Sequence, residues 1–312
     1  MNKILRIAIP TYNRSESLIK QLTFFSNEIT SITSSEIDIF VYNNASTDDT
    51  KEKLLDYTKL NSWVNCVHNK NNLGLVGNIN KILESSEAFY TWVVGDDDDI
   101  EPGILKKILK VLDDNTKLKW LFINHNAYDE KTKEIKMISA INKSQKGFYS
   151  DGKQAITDIF TFSRTTPMFI TACIFNTKTV KEIINNKVDN NLVDPLEYSF
   201  YCASKGGVFI FDEIFIHNKW GTTSWSSQVI EVMYKGVFSV LVSLKEYGYT
   251  KKQVNLMTKE NLKFNLRIHL SRLFRFEILA LDLLRFYDFK MLKKVFNITL
   301  NKVTKRENDK QK

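Results

Sequence analysis

The sequence contains few cysteines and no long apolar run. Its three cysteines, Cys66, Cys173 and Cys202, are odd in number, far apart and without a Cys-x-x-Cys pair, which argues against a disulfide framework or a thiolate zinc site. No run of about 18 uncharged apolar residues occurs, so no membrane-spanning helix is expected. No secretion signal is visible either, because Pro10 and the polar residues after it interrupt the first apolar stretch. We therefore expect a protein of the reducing cytoplasm.

Several familiar site motifs are missing as well. An EF-hand loop that begins at Asp96 or Asp98 lacks the glutamate required at its last position. The phosphate-loop spacing of residues 147–154 ends in Gln154, where Mg²⁺ binding needs Ser or Thr. The histidines are scattered along the chain, and no Ser-His-Asp set can be assembled from them. They are His68, His125, His217 and His269.

The composition is that of a packed globular protein, and its positive net charge is concentrated at the C-terminal end. Hydrophobic residues make up 43% and charged residues 26% of 312 residues, which allows one large α/β domain or a domain with an appended module. Residues 262–312 contain 13 Lys or Arg and 5 Asp or Glu, and 13 − 5 = +8 equals the net charge of the whole chain. This basic end predicts contact with an anionic surface.

Short apolar runs alternate with helical spacing in the first 115 residues. Buried strands are predicted at residues 4–9, 37–42, 64–68 and 90–94. Helices are predicted at residues 15–28, 48–57 and 77–85, and another is predicted to start at Pro102. Because strands and helices alternate, we predict an α/β fold with a mainly parallel sheet.

The rest of the chain divides into two further regions. In the first, strands are predicted near residues 120–124, 169–175 and 208–211, with helices near 154–162 and 177–186. Beyond residue 227 only helical spacing is evident. We therefore predict an α/β domain over residues 1–226, with halves 1–115 and 116–226, and a basic helical region over 227–312.

Four consecutive aspartates, Asp96 to Asp99, follow the fourth predicted strand. Ligands of open α/β sheets bind at the carboxyl ends of the strands, where such loops converge. Adjacent carboxylates cannot all ionise cheaply unless a cation neutralises them, and Mg²⁺ or Mn²⁺ usually binds one or two carboxylates plus substrate phosphates. The run therefore predicts a divalent metal, Mn²⁺ or Mg²⁺, and a diphosphate ligand. The alternative is a solvated loop that stabilises the following helix.

Four segments, in order along the chain, carry a family resemblance. They are Ile9 to Arg14, Val41 to Thr50, Asn72 to Gly74 with Asn78, and Trp92 to Asp98. Together they resemble the family 2 glycosyltransferases of GT-A fold. The resemblance implies a Rossmann-like domain with a mainly parallel central sheet flanked by helices, here followed by a helical C-terminal extension that it does not cover. It also implies inverting transfer of a sugar from a nucleotide-sugar donor to a glycan or lipid-linked glycan acceptor.

The resemblance assigns roles to individual residues. Donor binding falls on the matching positions Pro10, Thr11, Tyr12, Arg14, Asn43, Asp48, Asn72, Gly74, Asn78, Asp96 and Asp97. Asn43 stands where the family usually has Asp, so the identity of the donor base stays open. Metal ligands are expected at Asp97 or Asp98. The register is open, because counting back from Pro102 favours Asp97 and matching the first Asp to Asp96 favours Asp98. His217, at the base of residues 219–226, is a further candidate from its position rather than from the resemblance.

The acceptor hydroxyl needs a general base, for which Asp194 is the candidate and Glu197 the alternative. Asp194 followed by Pro195 also has the pattern of a helix start, with a capping residue and a proline in the first turn. His217 likewise has an alternative as a hydrogen-bonded residue at a strand end. Residues 219–226 are predicted to close over the bound donor.

Two other functions are weighed against glycosyl transfer. A sugar nucleotidylyltransferase would need a glycine-rich loop after the first strand, and residues 10–14 contain no glycine. A non-catalytic nucleotide-sugar or carbohydrate binder of the same fold would keep the site without turnover.

The basic C-terminal region has three candidate roles. Its helices can attach the enzyme to the anionic inner face of the cytoplasmic membrane, pack on the catalytic body, or form a homodimer. No nucleic-acid partner is expected, because no stacking platform accompanies the charge.

Overall fold

The structure is a computed structural model that describes residues 3–32, 36–187, 189–220, 228, 231–273 and 278–286. The first half alternates buried strands with helices that cover the sheet. Its strands are β1 (Leu5–Thr11), β2 (Ile37–Asn43), β3 (Val64–His68) and β4 (Tyr90–Val93). Its helices are α1 (Ser15–Ile32), α2 (Thr50–Leu60) and α3 (Gly74–Ser85). β1 pairs in parallel with β2 and β4, and β2 pairs in parallel with β3. The predicted elements of this half are confirmed, with shifts of a few residues at their ends.

The second half adds strands of both directions to the same sheet. In chain order its elements are β5 (Asp99–Ile100), α4 (Ile104–Asp114), β6 (Leu118–Asp129), β7 (Ile135–Met137), β8 (Gly147–Tyr149), α5 (Gly152–Ser163), β9 (Cys173–Asn176), α6 (Thr177–Ile184), α7 (Asp194–Ser204) and β10 (Gly207–Trp220). The strand order is β3-β2-β1-β4-β9-β6-β10-β5. β9 runs antiparallel to both of its neighbours, so the sheet, which was predicted to be mainly parallel, has its parallel pairs in the first half and between β6 and β10.

Two predicted elements begin later than expected, each for a local reason. The strand predicted from residue 169 begins at Cys173, because Pro167 and the residues after it form short 3-10 turns instead. The helix predicted to begin at Pro102 begins at Ile104, after Gly103 with a φ of 86°. Its first amides are satisfied from outside the helix, since Glu28 accepts hydrogen bonds from the Gly103 and Leu105 backbone nitrogens at 2.8 and 3.3 Å.

The C-terminal helices pack on the α/β body as far as they are described. A π-helical segment (Glu231–Gly236) leads into α8 (Val237–Ser243), α9 (Lys251–Phe264), α10 (Leu266–Leu273) and α11 (Ile278–Leu283). Their buried side chains, such as Phe238 and Met257, belong to the same hydrophobic core as the sheet. Among the described helices none is long and apolar enough to cross a membrane. The boundary predicted at residue 226 and the basic residues after 286 lie outside the described residues.

Candidate active site

The strand order brings the loops after β1, β2 and β4 to one edge of the sheet. Parallel neighbours end at the same edge, which is where open α/β sheets bind ligands. Backbone hydrogen bonds join these loops, since Asn44 donates to the Thr11 carbonyl and Asn69 to the Asn43 carbonyl, both at 2.9 Å. Asp96 to Asp99, here called the acidic loop, follow β4 at this edge.

Asp96 is buried and turned toward the loop after β1. One of its carboxylate oxygens accepts a hydrogen bond from the Thr11 hydroxyl at 2.7 Å, and the other lies 3.1 Å from the Arg14 guanidinium. Arg14 also pairs with Asp97 at 2.6 Å. Asp96 therefore fixes the position of Arg14 at the sheet edge, and it brings Thr11 and Arg14, two predicted donor-binding residues, into one cluster.

Asp98 is turned the other way, toward the second half of the domain. Its carboxylate accepts a hydrogen bond from the Thr171 hydroxyl at 2.5 Å, and the Thr171 oxygen accepts one from the Gly95 backbone nitrogen at 3.0 Å. A side chain at position 95 would collide with the Asp98 carboxylate, which explains the glycine there. Asp96 and Asp98 thus point to opposite sides of the loop.

Burial shifts the proton affinity of both inward-facing aspartates. Burial raises the pKa of Asp96 to about 6, although the hydrogen bond from Thr11 and the charge of Arg14 act to lower it. It also raises the pKa of Asp98 to about 6 against the hydrogen bond from Thr171. Two carboxylates with raised pKa values at the edge of a ligand crevice are a common feature of functional sites.

Asp97 and Asp99 are more exposed and lie beside a second cation. The Lys219 ammonium of β10 donates to the Asp97 backbone carbonyl at 2.6 Å and pairs with the Asp99 carboxylate at 3.0 Å. Tyr128 donates a hydrogen bond to Asp99 at 2.8 Å. Burial acts to raise the pKa of Asp99, but Tyr128 and Lys219 outweigh it and hold that pKa below its usual range. Arg14 and Lys219 therefore flank the acidic loop on its two sides.

A cavity of about 180 Å³ opens between the acidic loop and the first turns of α1. All four aspartates and Lys219 line it from one side. From the other side it is lined by Ser17, Lys20, Gln21 and Phe24, which share one face of α1 at helical spacing. The carboxylates of the acidic loop therefore border a space that a small polar group can enter.

The loops after β2 and β3 are joined by a network of asparagines centred on Asn44. Its amide nitrogen donates to Asn72 at 2.8 Å, and its amide oxygen accepts from Asn69 at 3.0 Å. Asn69 also donates to Asn78 at 2.8 Å. Two predicted donor-binding residues, Asn72 and Asn78, are thus held through their side chains, and Asn78 is almost fully buried. In this network their visible role is to shape the crevice wall.

The loops after β1 and β2 hold two residues with left-handed backbone. Asn13 has a φ of 54° and Ala45 a φ of 61°, conformations that cost an ordinary side chain roughly 1–2 kcal/mol. Cross-loop hydrogen bonds stabilise them: the Asn13 nitrogen donates to Ser46 at 2.9 Å, and the Thr47 nitrogen donates to Asn13 at 2.8 Å. Strained loops held in this way are typical of preorganised ligand sites.

The remaining predicted donor-binding residues lie on the same loops. Asn43 is buried, and its amide oxygen accepts from the Ser46 backbone nitrogen at 2.9 Å. Asp48 accepts from the Thr50 nitrogen at 3.0 Å at the start of α2, and Gly74 begins α3 with a φ of 72°. Pro10 lies within β1, and Tyr12 is 42% exposed at the mouth of the crevice. The fold brings all of these residues to the predicted edge.

His217 lies beside the acidic loop, where it pairs in antiparallel register with Asp99. Its two ring nitrogens already have partners, Glu101 at 2.7 Å and Asn126 at 3.0 Å. A metal ion would have to replace one of these hydrogen bonds. The role of His217 as a metal ligand stays a prediction, and the contacts show why a strand-end histidine can be satisfied without one.

Asp194 and Glu197, the candidate bases, lie in a separate cluster between helices. The Lys187 ammonium pairs with Asp194 at 2.5 Å and with Glu197 at 2.6 Å. Asp194 is 1% exposed and also accepts from the Asn191 backbone nitrogen at 3.0 Å, while Glu197 accepts from the Tyr247 hydroxyl at 2.7 Å. Among the described residues, no contact joins this cluster to the acidic loop. These contacts favour a structural role for both carboxylates over the predicted role as base.

The structure also identifies residues that the sequence patterns did not single out. Thr171 holds Asp98 and Gly95, yet it lies in a 3-10 turn without any motif. Asn44 organises the asparagine network, although Asn43 was the residue selected from the same segment. No local signal marks Thr171, whereas the buried position of Asn44 directly after a strand was visible in principle.

The donor set of the acidic loop fits a hard divalent cation. Within the described part of the chain, no three His, Cys, Asp or Glu side chains converge as a complete metal site. Mg²⁺ and Mn²⁺ do not require such a set, since they bind through one or two carboxylates with water and substrate phosphates. Asp97 and Asp98 are predicted ligands whose hard carboxylate oxygens suit such an ion, and the raised pKa of Asp98 is an electrostatic cost that a bound cation would relieve.

The fold is similar to those of solved glycosyltransferases. S. aureus TarS 1-349 is 14% identical with a TM-score of 0.63, and the match covers 86% of this chain and 72% of that chain. The same fragment in complex with UDP-GlcNAc is 15% identical with a TM-score of 0.62, over 86% and 73% of the two chains. The mannosyltransferase PcManGT from Pyrobaculum calidifontis, in complex with GDP-Man and Mn²⁺, is 11% identical with a TM-score of 0.57, over 91% and 79%. At these identities the likeness shows the fold alone.

The sequence itself places the chain in a family. No curated protein matches it significantly. The model of glycosyl transferase family 2, however, matches residues 6–178, which is more than half of the chain and includes the acidic loop and the loops after β1 to β3. With its GT-A fold and C-terminal helices, the chain belongs to glycosyl transferase family 2 and is a glycosyltransferase.

Proposed function

We propose that this glycosyltransferase moves a sugar from a nucleotide-sugar donor to a glycan or lipid-linked glycan acceptor, with inversion at the anomeric carbon. The observation that carries the proposal is the acidic loop at the carboxyl edge of the sheet, bordered by a cavity and flanked by Arg14 and Lys219. Carboxylates with a metal and cations on both sides are suited to a diphosphate leaving group.

Different crevice residues would contact different parts of the donor. The loops after β1 and β2, with Pro10, Thr11, Tyr12, Asn43 and Asp48, would hold the nucleoside. Asn72, Gly74 and Asn78 would form the wall through the network centred on Asn44. Because the Asn43 amide oxygen accepts from the Ser46 nitrogen and its NH₂ group lies 3.4 Å from His68 Nδ1, only the second N–H of that group is left for a base.

The diphosphate would lie against the acidic loop. Asp97 and Asp98 would hold Mn²⁺ or Mg²⁺, with His217 as a further predicted ligand, and the bound ion would neutralise charge on the departing nucleoside diphosphate. Arg14 and Lys219 already lie within ion-pair distance of this loop and would supply further positive charge. Asp96, held by Thr11, would keep Arg14 in place.

Fewer residues are proposed to act on the acceptor. An inverting displacement requires a base for the acceptor hydroxyl, for which Asp194 and Glu197 are the predicted candidates. In the present arrangement Lys187 occupies both carboxylates, so either one would have to give up that pair to take a proton. Residues 219–226 are predicted to close over the donor. Of these, the structure describes only Lys219 and Trp220.

Membrane attachment through the basic C-terminal region and a homodimer are further proposals. The helices up to residue 286 pack on the body, which leaves the basic residues beyond 286 for an anionic surface on the inner face of the cytoplasmic membrane. A polysaccharide or lipid-linked acceptor and a cytoplasmic location would suit that arrangement.

The decisive experiment measures both donor binding and turnover. Nucleoside diphosphates are screened for stabilisation of the purified protein with Mn²⁺ and with EDTA, and a ligand at 100 times its Kd adds about 2.7 kcal/mol to the free energy of unfolding. The nucleotide-sugars that correspond to stabilising nucleotides are then tested for metal-dependent hydrolysis. Metal-dependent binding with hydrolysis supports the enzyme. Binding without hydrolysis or transfer to any acceptor would support a non-catalytic nucleotide-sugar binder, and pyrophosphate release from a nucleoside triphosphate would indicate a nucleotidylyltransferase.

A further inference from the structure

A second surface of the molecule combines exposed apolar side chains with positive charge. The hairpin face, as we name it, consists of residues 131–146 around β7 together with Phe162 at the end of α5. It surrounds an open groove of about 500 Å³ lined by Ile135, Ile138 and Phe162, among others. These three side chains are 63%, 78% and 47% exposed. Clustered apolar exposure of this kind marks an interaction surface more often than a folding requirement.

The charge of the hairpin face is strongly one-sided. Residues 131–146 contain five lysines and one acidic residue, Glu134. Lys136 pairs with Glu134 at 2.6 Å and Lys146 with Asp212 at 3.4 Å. The other three, Lys131, Lys133 and Lys143, are exposed and have no ion-pair partner within the described residues. Lys143 lines the groove, whereas Lys131 and Lys133 lie in the turn before β7, beside Asp129 and Glu130.

These features together identify the chemistry of the partner. Isoleucine and phenylalanine beside lysine suit the interface of an anionic bilayer, where apolar side chains enter the acyl boundary and lysines meet lipid phosphates. A second copy of the chain is disfavoured, because a self-complementary contact would bring the lysines of two such faces together. We propose that the hairpin face docks the protein on an anionic lipid bilayer.

The position of the hairpin face connects it to the active-site edge. β6 ends at Asp129 at the same sheet edge as the acidic loop, and Tyr128, which donates to Asp99 at 2.8 Å, lies opposite Ile135 in the β6–β7 ladder. A bilayer that contacts the hairpin face therefore lies next to the crevice. The docking itself does not depend on the proposed function. Delivery of a lipid-linked acceptor to the crevice does rest on it.

The test is cosedimentation of the full chain with vesicles of phosphatidylcholine alone or mixed with phosphatidylglycerol. We expect binding to the anionic vesicles only, weakened by salt because the lysine contribution is screened. The apolar variant Ile135→Ser/Ile138→Ser and the basic variant Lys131→Gln/Lys133→Gln/Lys143→Gln should each lower the affinity at least about 10-fold. All five residues are exposed, so melting temperatures should stay unchanged.

A matched control carries the same charge change on the opposite sheet edge. Lys110→Gln/Lys117→Gln/Lys178→Gln removes three exposed lysines near the start of β6 and the end of β9. This variant should bind vesicles as the unmodified protein does. A tail variant, Lys290→Gln/Lys293→Gln/Lys294→Gln, measures the contribution of the C-terminal region separately.

Several outcomes would overturn the proposal. One is no binding to anionic vesicles at low salt, and another is binding that only the tail variant loses. A third is a dimer in sedimentation velocity, without vesicles, that the apolar variant dissociates, because the face would then be a self-interface. Capture of an acidic protein instead of lipid would also count against it. Nucleotide-dependent thermal stabilisation is unaffected by any of these results, so failure of the docking proposal and failure of the proposed function are distinguishable.

Discussion

The acidic loop and the Lys187 cluster both combine carboxylates with lysine or arginine, but they differ in where the fold places them. Asp96 to Asp99 follow a strand at the ligand edge of the sheet and border a cavity, with Arg14 and Lys219 on either side. Asp194 and Glu197 share the single ammonium of Lys187 between packed helices. The first arrangement leaves carboxylate oxygens beside open space, whereas the second uses them to satisfy a half-buried cation. This difference shows that the role of a carboxylate depends on where the fold places it and on which groups surround it.

The largest expected effect tests the acidic loop. Asp97→Asn/Asp98→Asn should lower metal-dependent turnover on the order of 1000-fold, because it removes the charge that, in the proposed function, would hold the cation at the diphosphate. Turnover and Mn²⁺-dependent nucleotide binding are measured on protein of unchanged melting temperature. The control is Asp113→Asn/Asp114→Asn, an exposed pair at the end of α4. Unchanged metal dependence in the loop variant would show that the metal binds elsewhere.

The next effect is on stability and concerns the Lys187 cluster. Lys187→Met leaves the buried Asp194 and the partly buried Glu197 without their cation, and breaking a buried pair in this way costs about 3 kcal/mol. Urea unfolding of this variant is compared with that of Lys178→Met, which alters an exposed lysine. A loss no larger than that of the control would mean that the pairs contribute little to folding.

Asp194→Asn separates the structural role from the predicted catalytic role. An amide keeps the shape and the hydrogen bond from Asn191 but loses the charge opposite Lys187, so we expect a loss of about 1–3 kcal/mol and full turnover per folded molecule. Melting temperature and steady-state turnover are measured on the same preparation. Loss of turnover at an unchanged melting temperature would instead identify Asp194 as the base.

The last prediction concerns stability against pH and tests burial as a source of pKa shifts. Burial lowers the pKa of His125 to about 4, and its ring nitrogen Nε2 has no partner among the described residues. The unfolded chain takes up a proton below about pH 6.5 and the folded chain only near pH 4, so stability falls as pH drops through this window. The loss is about 1.4 kcal/mol for each unit by which the pKa is lowered. His125→Gln should make the fall in urea midpoints from pH 7 to pH 4.5 shallower but should not abolish it, because burial also lowers the pKa of His269 to about 4. An unchanged slope would show that His125 titrates normally in the folded state.

The N-terminal half and the position of the site were predictable because their signals are local. Strands such as residues 64–68 appear as short apolar runs, and the order of strands and helices fixes a parallel arrangement. The rule that ligands bind at the carboxyl edge then places Thr11, Asn43 and Asp96 together without further information. The second half was less predictable, because Pro167 and the reversed β9 alter a sheet whose pairing depends on distant segments.

The sequence by itself determined the family, the fold class and the edge at which the acidic loop would lie, since each depends on residue types in a fixed order along the chain. Only the tertiary structure decided what individual side chains do there. It turned Asp96 toward Arg14 and Asp98 toward Thr171, which is 73 residues away, and it gave both ring nitrogens of His217 protein partners. It also placed Asp194 and Glu197 on Lys187. Contacts between distant segments follow from packing and desolvation, which spacing along a sequence does not encode.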